Sequence, residues 1–210
     1  MAKGGFNMFK WLLGIVVAIV IVIGIALYLF MKGPDVSRYE YLKEPQISEK
    51  PDQLVLVVEA KGDPNVIGMK TFSLLFKTYY ALKDNAKSFT VAPRARWPIA
   101  VTLPPKDQWQ GSYALPVSPT AKFPDKFKVD DPSLKVMLVT WHYGTVAEIL
   151  HIGPYSAEPP TIERLKTFIK SQGYRIIGEH EEEYVKGPSM FGPGDPNKYY
   201  TIIRYQVVKK

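Results

Sequence analysis

The chain has 210 residues, of which 46% are hydrophobic and 22% charged, so its composition indicates a folded protein and not a disordered one. It contains no cysteine, which excludes disulfides, cysteine metal sites and thiol nucleophiles. The net charge of +7 is uneven: residues 1–32 hold three lysines and no acid, which leaves 24 basic against 20 acidic residues beyond them. This thin excess is not the basic patch of a nucleic-acid-binding protein, so no nucleic-acid partner is predicted.

A run of 21 uncharged residues, 11–31, follows a short basic tail. A helix of about 20 residues crosses the ~30 Å hydrocarbon core of a bilayer. The core of a signal peptide is shorter and ends in small residues, and a buried helix is rarely apolar on every face. We therefore predict an N-terminal membrane anchor at residues 1–32 that contains one uncleaved transmembrane helix and has the lipid bilayer as its partner. The short basic tail favours a cell-membrane protein whose domain lies outside the cytoplasm.

A tether of mixed charge is predicted at residues 33–50, and a folded domain at residues 51–210. Apolar runs, helical spacing and Gly or Pro breaks predict the elements of this domain. In chain order they are a strand at 54–58, a helix at 64–83, strands at 112–117, 134–142 and 145–152, a helix that ends before residue 173, and strands at 174–185 and 199–208. Six prolines at 92–119 restrict that segment to short or edge strands.

The order strand, helix, strand, strand occurs twice along this domain. The glycines that break the first strand of each unit, Gly62 and Gly153, lie 91 residues apart. This repetition indicates an internal duplication. The predicted fold class is therefore α+β, with duplicated β-α-β-β units, an antiparallel sheet with two helices on one face, and one N-terminal transmembrane helix. The other face of the sheet then needs a cover or a ligand.

The sequence has no P-loop, dinucleotide-binding, nucleophile-elbow or zinc-protease motif, so we predict neither a metal nor a cofactor. The histidines are interpreted as structural or surface residues. The strongest candidate for chemistry is the run HEEEY at 180–184. On a strand, His180, Glu182 and Tyr184 share one face, and Glu181 and Glu183 share the other. Three adjacent glutamates are also typical of an exposed sheet edge, and that interpretation stays open.

A carboxylate that is desolvated among aromatic rings can bind a cation or act as an acid or base. The chain offers several aromatic residues that could line such a pocket, namely Trp97, Trp109, Tyr113, Trp141, Tyr143 and Tyr155. Ordinary core packing explains the same residues equally well.

Two motifs resemble the gyrase-inhibitor-like (GyrI-like) small-molecule-binding domain: HIGPY at 151–155 before a helix, and EEYVKGP at 182–188 after it. The resemblance is good over residues 134–208 and weaker over 51–120. It implies that Glu182 and Tyr184 are ligand-binding residues, to which we add Trp141, Tyr113 and Tyr155 as pocket walls. Gly187 stands where the family usually has an aspartate, a change expected to loosen the turn without touching the pocket.

The resemblance implies three hypotheses of function. The first is a membrane-tethered binding module for a small apolar or cationic organic ligand, which the Glu182 carboxylate and aromatic walls would hold. The second is a small-molecule hydrolase in which Glu182 and Tyr184 are catalytic. The third is a structural or interaction domain without a ligand. A gyrase inhibitor and a DNA-binding activator are disfavoured, because the chain has an apparent anchor and no room for a helix-turn-helix.

Overall fold

The computed structural model describes residues 8–31, 34–98, 105–129, 133–188, 192 and 194–210. The chain divides into two compact units at Asp35 and Val36. The first unit contains helix α1, Met8–Met31. Within the described side chains, which in α1 are those of residues 11–25, no helix reaches the length and apolarity needed to cross a membrane. Residues 1–7 and 32 of the predicted anchor lie outside the described residues.

The second unit is built from strands, two α-helices and short 3-10 helices. The strands are β1 Gln46–Lys50, β2 Gln53–Lys61, β3 Arg94–Trp97, β4 Gln110–Pro116, β5 Val136–Trp141, β6 Gly144–Ile152, β7 Tyr174–Ile176, β8 His180–Lys186 and β9 Tyr200–Lys209. The α-helices are α2 Pro64–Ala81 and α3 Pro159–Ser171. The 3-10 helices are η1 Ser37–Lys43, η2 Lys106–Gln108, η3 Tyr155–Ala157 and η4 Pro196–Lys198.

The strands form one antiparallel sheet in the order β1-β6-β9-β8-β3-β4-β2-β5, and β7 pairs separately with β9. One half of the domain consists of β2, α2, β3 and β4, and the other half consists of β6, α3, β8 and β9. Strands β3 and β8 pair at the centre, where the two halves meet. The predicted α+β class and its large antiparallel sheet are confirmed.

Both helices lie on the same face of this sheet, which we call the helix face. Directly opposed residues of neighbouring strands share a face, and one such row crosses both halves: Val58, Tyr113, Ala95, Glu182, Ile203 and Ile149. Helix α2 packs its Leu75 in one core with Val58 and Tyr113. Helix α3 packs Leu165 in a second core with Ile149 and Ile203. The predicted placement of two helices on one face is therefore correct.

The tether predicted at residues 33–50 is wrong for residues 36–50, which belong to the folded unit. Strand β1 pairs with β6 along its full length. Leu42, on η1, is 1% exposed and packs against Leu150, Val185 and Ile202 on the face away from the helices. Burial of these side chains from water is the physical reason that the segment folds, and it supplies part of the cover that the second face needs.

Two further predictions for strands change in the structure. The strand predicted at 174–185 is interrupted between Ile176 and His180, where the Ile177 and Gly178 amides both donate to the Gln206 carbonyl, at 2.9 and 3.4 Å, and the regular ladder is broken. Strand β3 was not predicted, because prolines surround it; Pro93 and Pro98 flank it without interrupting its ladders.

Both α-helices of the second unit follow a glycine turn. Gly62 and Gly153 have φ values of +143° and +141°, a region that side-chain-bearing residues rarely adopt. After Gly62, Asp63 caps α2 by accepting a hydrogen bond from the Asn65 amide at 2.9 Å, and Pro64 occupies the first helical position.

We predict that Gly153→Val lowers the free energy of unfolding by roughly 1–3 kcal/mol, because the backbone at this turn must keep its positive φ. Urea unfolding of a chain beginning at Val36 measures the effect. The matched control is Gly68→Ala within α2, where the added methyl meets only an ordinary contact with Tyr113 at 3.8 Å and a helix former replaces glycine. Equal effects at both positions would contradict the strain argument.

Candidate functional site

Glu182 lies at the middle of the sheet on the helix face, in the central strand β8 and directly opposite Ala95 of β3. Its carboxylate accepts a hydrogen bond from the Tyr184 hydroxyl at 2.6 Å. His180 Nε2 lies 2.9 Å from the other carboxylate oxygen. Burial works to raise the pKa of Glu182, but the hydrogen bonds from His180 and Tyr184 outweigh it and hold that pKa below its ordinary value. Glu182 is therefore an anion in a largely buried place.

A second carboxyl group, Glu158, faces this anion. It follows η3 and precedes the first residue of α3, and it is only 5% exposed. Burial, together with the charge of Glu182, raises the pKa of Glu158 to about 9. At neutral pH the site thus holds one protonated carboxylic acid beside one carboxylate, the arrangement that separates acid and base roles in two-carboxyl sites.

Aromatic rings surround the pair in a continuous series of mostly edge-to-face contacts. Tyr155 and Tyr184 have ring centroids 5.5 Å apart, and Phe72 of α2 lies 5.9 Å from Tyr184. Phe72 also contacts Tyr113 at 5.3 Å, which in turn contacts Trp97 at 5.5 Å. Burial and, to a smaller extent, the charge of Glu182 raise the pKa of Tyr113 to about 12. The Tyr113 hydroxyl therefore interacts electrostatically with the Glu182 carboxylate.

The structure brings together four of the five predicted site residues. Glu182, Tyr184, Tyr155 and Tyr113 lie in or beside this cluster. The prediction for Trp141 is wrong: it packs on the opposite face with Val55 and Val57, and the Arg96 guanidinium lies 3.8 Å from its ring centroid. Trp141 is on an outer strand, where the sequence does not show which face a single aromatic takes.

Gly187 also corrects an expectation. A Cβ at this position would come 2.6 Å from the Tyr155 hydroxyl. The glycine that stands here in place of the family's usual aspartate therefore does contact the pocket. The missing side chain lets Tyr155 lie against Tyr184 and cover the site.

Sequence reasoning missed two participants. His180, interpreted as structural, binds Glu182 through one ring nitrogen, while the other lies 2.8 Å from the Tyr205 hydroxyl. Its alternation with Glu182 on β8 was the signal available. Glu158 has no such signal, because it is 24 residues away in sequence and only the turn from β6 into α3 brings it close.

The face away from the helices holds a buried ionic network. Arg204 is 2% exposed and binds Glu148 at 2.5 Å, Glu183 at 3.0 Å, and Glu181. Glu181 is also paired with Arg96 at 2.8 Å. Arg94 adds an ion pair to Glu183 at 3.2 Å. The exposed-edge interpretation of the three glutamates is therefore wrong, because Glu181 and Glu183 are buried and paired with arginines on the face opposite to Glu182.

Two cavities are found elsewhere in the described residues. A small polar cavity of about 20 Å³ adjoins the ionic network and is lined by Arg96, Tyr143 and Glu181 among others. A larger one of about 180 Å³ lies between α2 and the segment at 124–128. Neither is lined by Glu182, whose side chain is 13% exposed.

Comparison with known proteins gives a family and a fold. The sequence profile described as "GyrI-like small molecule binding domain" matches residues 43–206. No curated protein matches the chain significantly.

Several solved structures are similar in fold. A hydrolase from Listeria innocua has a TM-score of 0.63 and 20% identity, covering 83% of this chain and all of its own. The EcmrR C-terminal domain has a TM-score of 0.59 and 13% identity, covering 80% of this chain and 98% of its own. The chain of an EcmrR–DNA complex has a TM-score of 0.58 and 14% identity, covering 97% of this chain and 70% of its own.

The ionic network predicts a loss of stability in acid. The arginines hold the pKa of Glu183 at about 2 against the effect of burial. A lowered pKa contributes stability above the ordinary carboxyl range, and that contribution is lost as the pH falls from about 4.5 towards 2. For Glu183 the full loss amounts to roughly 3 kcal/mol. Urea unfolding between pH 7 and pH 1.5 measures it.

The matched variant is Glu183→Gln, which removes the titrating group. It lowers stability at pH 7, because Arg94 and Arg204 lose a buried partner, and its stability falls less steeply with acid than that of the parent. Identical slopes in the two proteins would contradict the assignment. Glu59→Gln, at an exposed position, is expected to leave both stability and slope unchanged.

Proposed function

The chain belongs to the GyrI-like family of small-molecule-binding domains, and from that premise we propose that it binds a small organic cation over Glu182. Membership of this family implies small-molecule binding. The finer assignment depends on the site. Its single supporting observation is that Glu182 stays ionised within a largely buried aromatic cluster.

The surroundings of Glu182 favour a cationic ligand over a neutral one. A buried anion attracts a cation more strongly than an exposed one, because little water screens it. The rings of Tyr155, Tyr184 and Phe72 lie near the carboxylate, and aromatic rings attract a cation by cation–π interaction, more strongly when the cation is desolvated. Tyr155, which is 37% exposed and lies on the short helix η3, is the most exposed of these three rings and therefore the side of the site nearest to solvent.

Glu182→Gln keeps the shape of the side chain and removes its charge. We predict that it weakens binding of tetraphenylphosphonium, an aromatic organic cation, more than ten-fold, equivalent to about 1.4 kcal/mol. The affinity for triphenylphosphine oxide, a neutral molecule of similar shape, is expected to change by less than three-fold, about 0.6 kcal/mol. Titration calorimetry measures both affinities.

The control for this experiment is Glu59→Gln, an exposed carboxylate on β2. It removes the same net charge without touching the site, so binding of the phosphonium ion should not change. Equal losses in the two variants would indicate a general effect of net charge and would refute a specific role for Glu182.

A hydrolase is the second candidate, and the pairing of Glu158 with Glu182 is the observation that favours it. A carboxylic acid with a pKa of about 9 beside an ionised carboxylate can donate a proton while its neighbour acts as a base. The fold similarity to a hydrolase is consistent with this candidate without establishing it.

Turnover of small p-nitrophenyl esters tests the hydrolase candidate. Glu182→Gln is expected to abolish turnover with little change in binding, because it removes the base and keeps the shape. Glu59→Gln is again the control. Turnover that survives Glu182→Gln excludes this carboxylate as a catalytic residue, and a protein with neither turnover nor ligand binding would be a structural or interaction domain.

We also propose that residues 11–31 anchor the protein in the cell membrane, with its domain outside the cytoplasm. The support is the uncharged run in the sequence and the helix Met8–Met31, whose described side chains from Trp11 to Ile25 are all exposed. Such a surface is costly in water and favourable in hydrocarbon.

Removing residues 1–35 is expected to release the protein from the membrane fraction of expressing cells and leave a cooperatively folding unit. The new start at Val36 retains Leu42 and its contacts, which a start at Gln46 would remove. Alkaline extraction of the membranes separates anchored from adsorbed protein. Full-length chain found in the extract would contradict the anchor, and protease digestion of intact cells tests the side on which the domain lies.

A further inference from the structure

Three side chains with metal-binding atoms meet on the helix face. Glu158, His180 and Glu182 each place one ligand atom so that all three lie within 4.8 Å of one another. They come from the turn before α3 and from β8, so no sequence spacing marks them as a set.

We propose that Glu158, His180 and Glu182 form a binding site for a divalent first-row transition metal ion, for which Zn²⁺ is the best probe. One imidazole nitrogen and two carboxylate oxygens are a ligand set that zinc accepts, and three protein ligands leave a coordination position open to water or to another molecule. This inference is independent of organic-cation binding, although both use Glu182.

An unsatisfied oxygen points to such an ion. Glu158 Oε1 is buried without a hydrogen-bond partner among the described residues, while the residue as a whole is only 5% exposed. Buried carboxyl oxygens are normally paired, and an orphaned one needs an explanation. The arginines that pair with Glu181 and Glu183 lie on the other face of the sheet. On this side, a metal ion bound between Glu158 and Glu182 would displace the proton that Glu158 carries at neutral pH and would neutralise both carboxylates.

The two residues of β8 are already oriented for ligation. His180 Nδ1 lies 2.8 Å from the Tyr205 hydroxyl, and this contact directs Nε2 towards Glu182. Metal-bound histidines are commonly held by a hydrogen bond at the other ring nitrogen in this way. Tyr184 donates a hydrogen bond to Glu182 Oε2, so Oε1, which faces His180 Nε2, is the oxygen of Glu182 placed to share a metal ion with that nitrogen.

The site also has a route for entry. The side chains of His180 and Glu182 are each 13% exposed, so solvent reaches them. Their present separation of 2.9 Å is a hydrogen-bond distance. With metal–ligand bonds of about 2.0–2.2 Å, tetrahedral ligand atoms lie roughly 3.3–3.6 Å apart, so His180 and Glu182 need to separate by less than about 1 Å to admit an ion.

Titration calorimetry with zinc chloride, on protein stripped of metals by chelation, tests the proposal. We expect one site in the parent protein and at least a ten-fold loss of affinity in both Glu158→Gln and His180→Gln. The matched control is His142→Gln, because His142 lies 2.6 Å from Asp52 in an exposed pair able to hold zinc adventitiously. His142→Gln should leave the zinc affinity of the site at Glu158, His180 and Glu182 unchanged. Zinc affinity that depends on His142 and not on Glu158 and His180, or no zinc binding at all, would overturn the proposal.

A second measurement covers variants that fold poorly. Circular dichroism establishes whether each variant is folded, and the Co²⁺-loaded parent protein is examined by visible absorption. Strong d–d bands are expected, because a four- or five-coordinate ion absorbs far more than a hydrated octahedral one. Weak, hydrated-type bands would refute the site even if no variant folds.

The outcomes separate this proposal from the proposed function. Tetraphenylphosphonium binding is measured in the presence of chelator, where no metal is bound. Phosphonium binding without zinc binding refutes only the metal site. Zinc binding without phosphonium binding refutes only the organic-cation site.

Discussion

Burial of the Arg204 guanidinium is the constraint on which the sheet depends. This side chain is 2% exposed and binds carboxylates from both neighbouring strands, Glu148 on β6 and Glu181 and Glu183 on β8. A buried charge is tolerated only when its donors are paired, and guanidinium donors have a fixed planar geometry. The carboxylates must therefore stand at set positions along β8, which fixes the register of that strand against β9. Arginines of β3 continue the same pairing across the junction between the two halves.

The position of Glu182 follows from this register. Successive residues of a strand point to opposite faces, so fixing Glu181 and Glu183 on one face directs Glu182 to the other. A shift of one residue would exchange the faces and place a single glutamate against the arginines. The three carboxylates thus serve different purposes. Two complete a structural ion network, and the third keeps its charge on the helix face through hydrogen bonds from His180 and Tyr184.

The two halves of the sheet contribute unequally to the site. The second half supplies the polar groups, Glu158, His180 and Glu182, while α2 and β4 of the first half supply the rings of Phe72 and Tyr113. Ala95 lies directly opposite Glu182 on β3, and its small side chain leaves room for the carboxylate and the rings. The two halves therefore have the same order of elements, but their side chains differ, so the polar groups of the site come from the second half alone.

Local signals determined the outline of this protein. Apolar runs, helical spacing and Gly or Pro breaks predicted both helices of the folded unit and most of its strands, because these features act within a few residues. The alternation along β8 likewise predicted that Glu182 and Tyr184 share a face. Tertiary structure decided what depends on distant contacts. It folded residues 36–50 into the sheet through burial of Leu42, turned Trp141 away from the site, and brought Glu158 beside Glu182 across 24 residues of sequence. A sequence pattern reports which face a residue takes on its own element, whereas the pairing of strands determines which residues of other elements it meets.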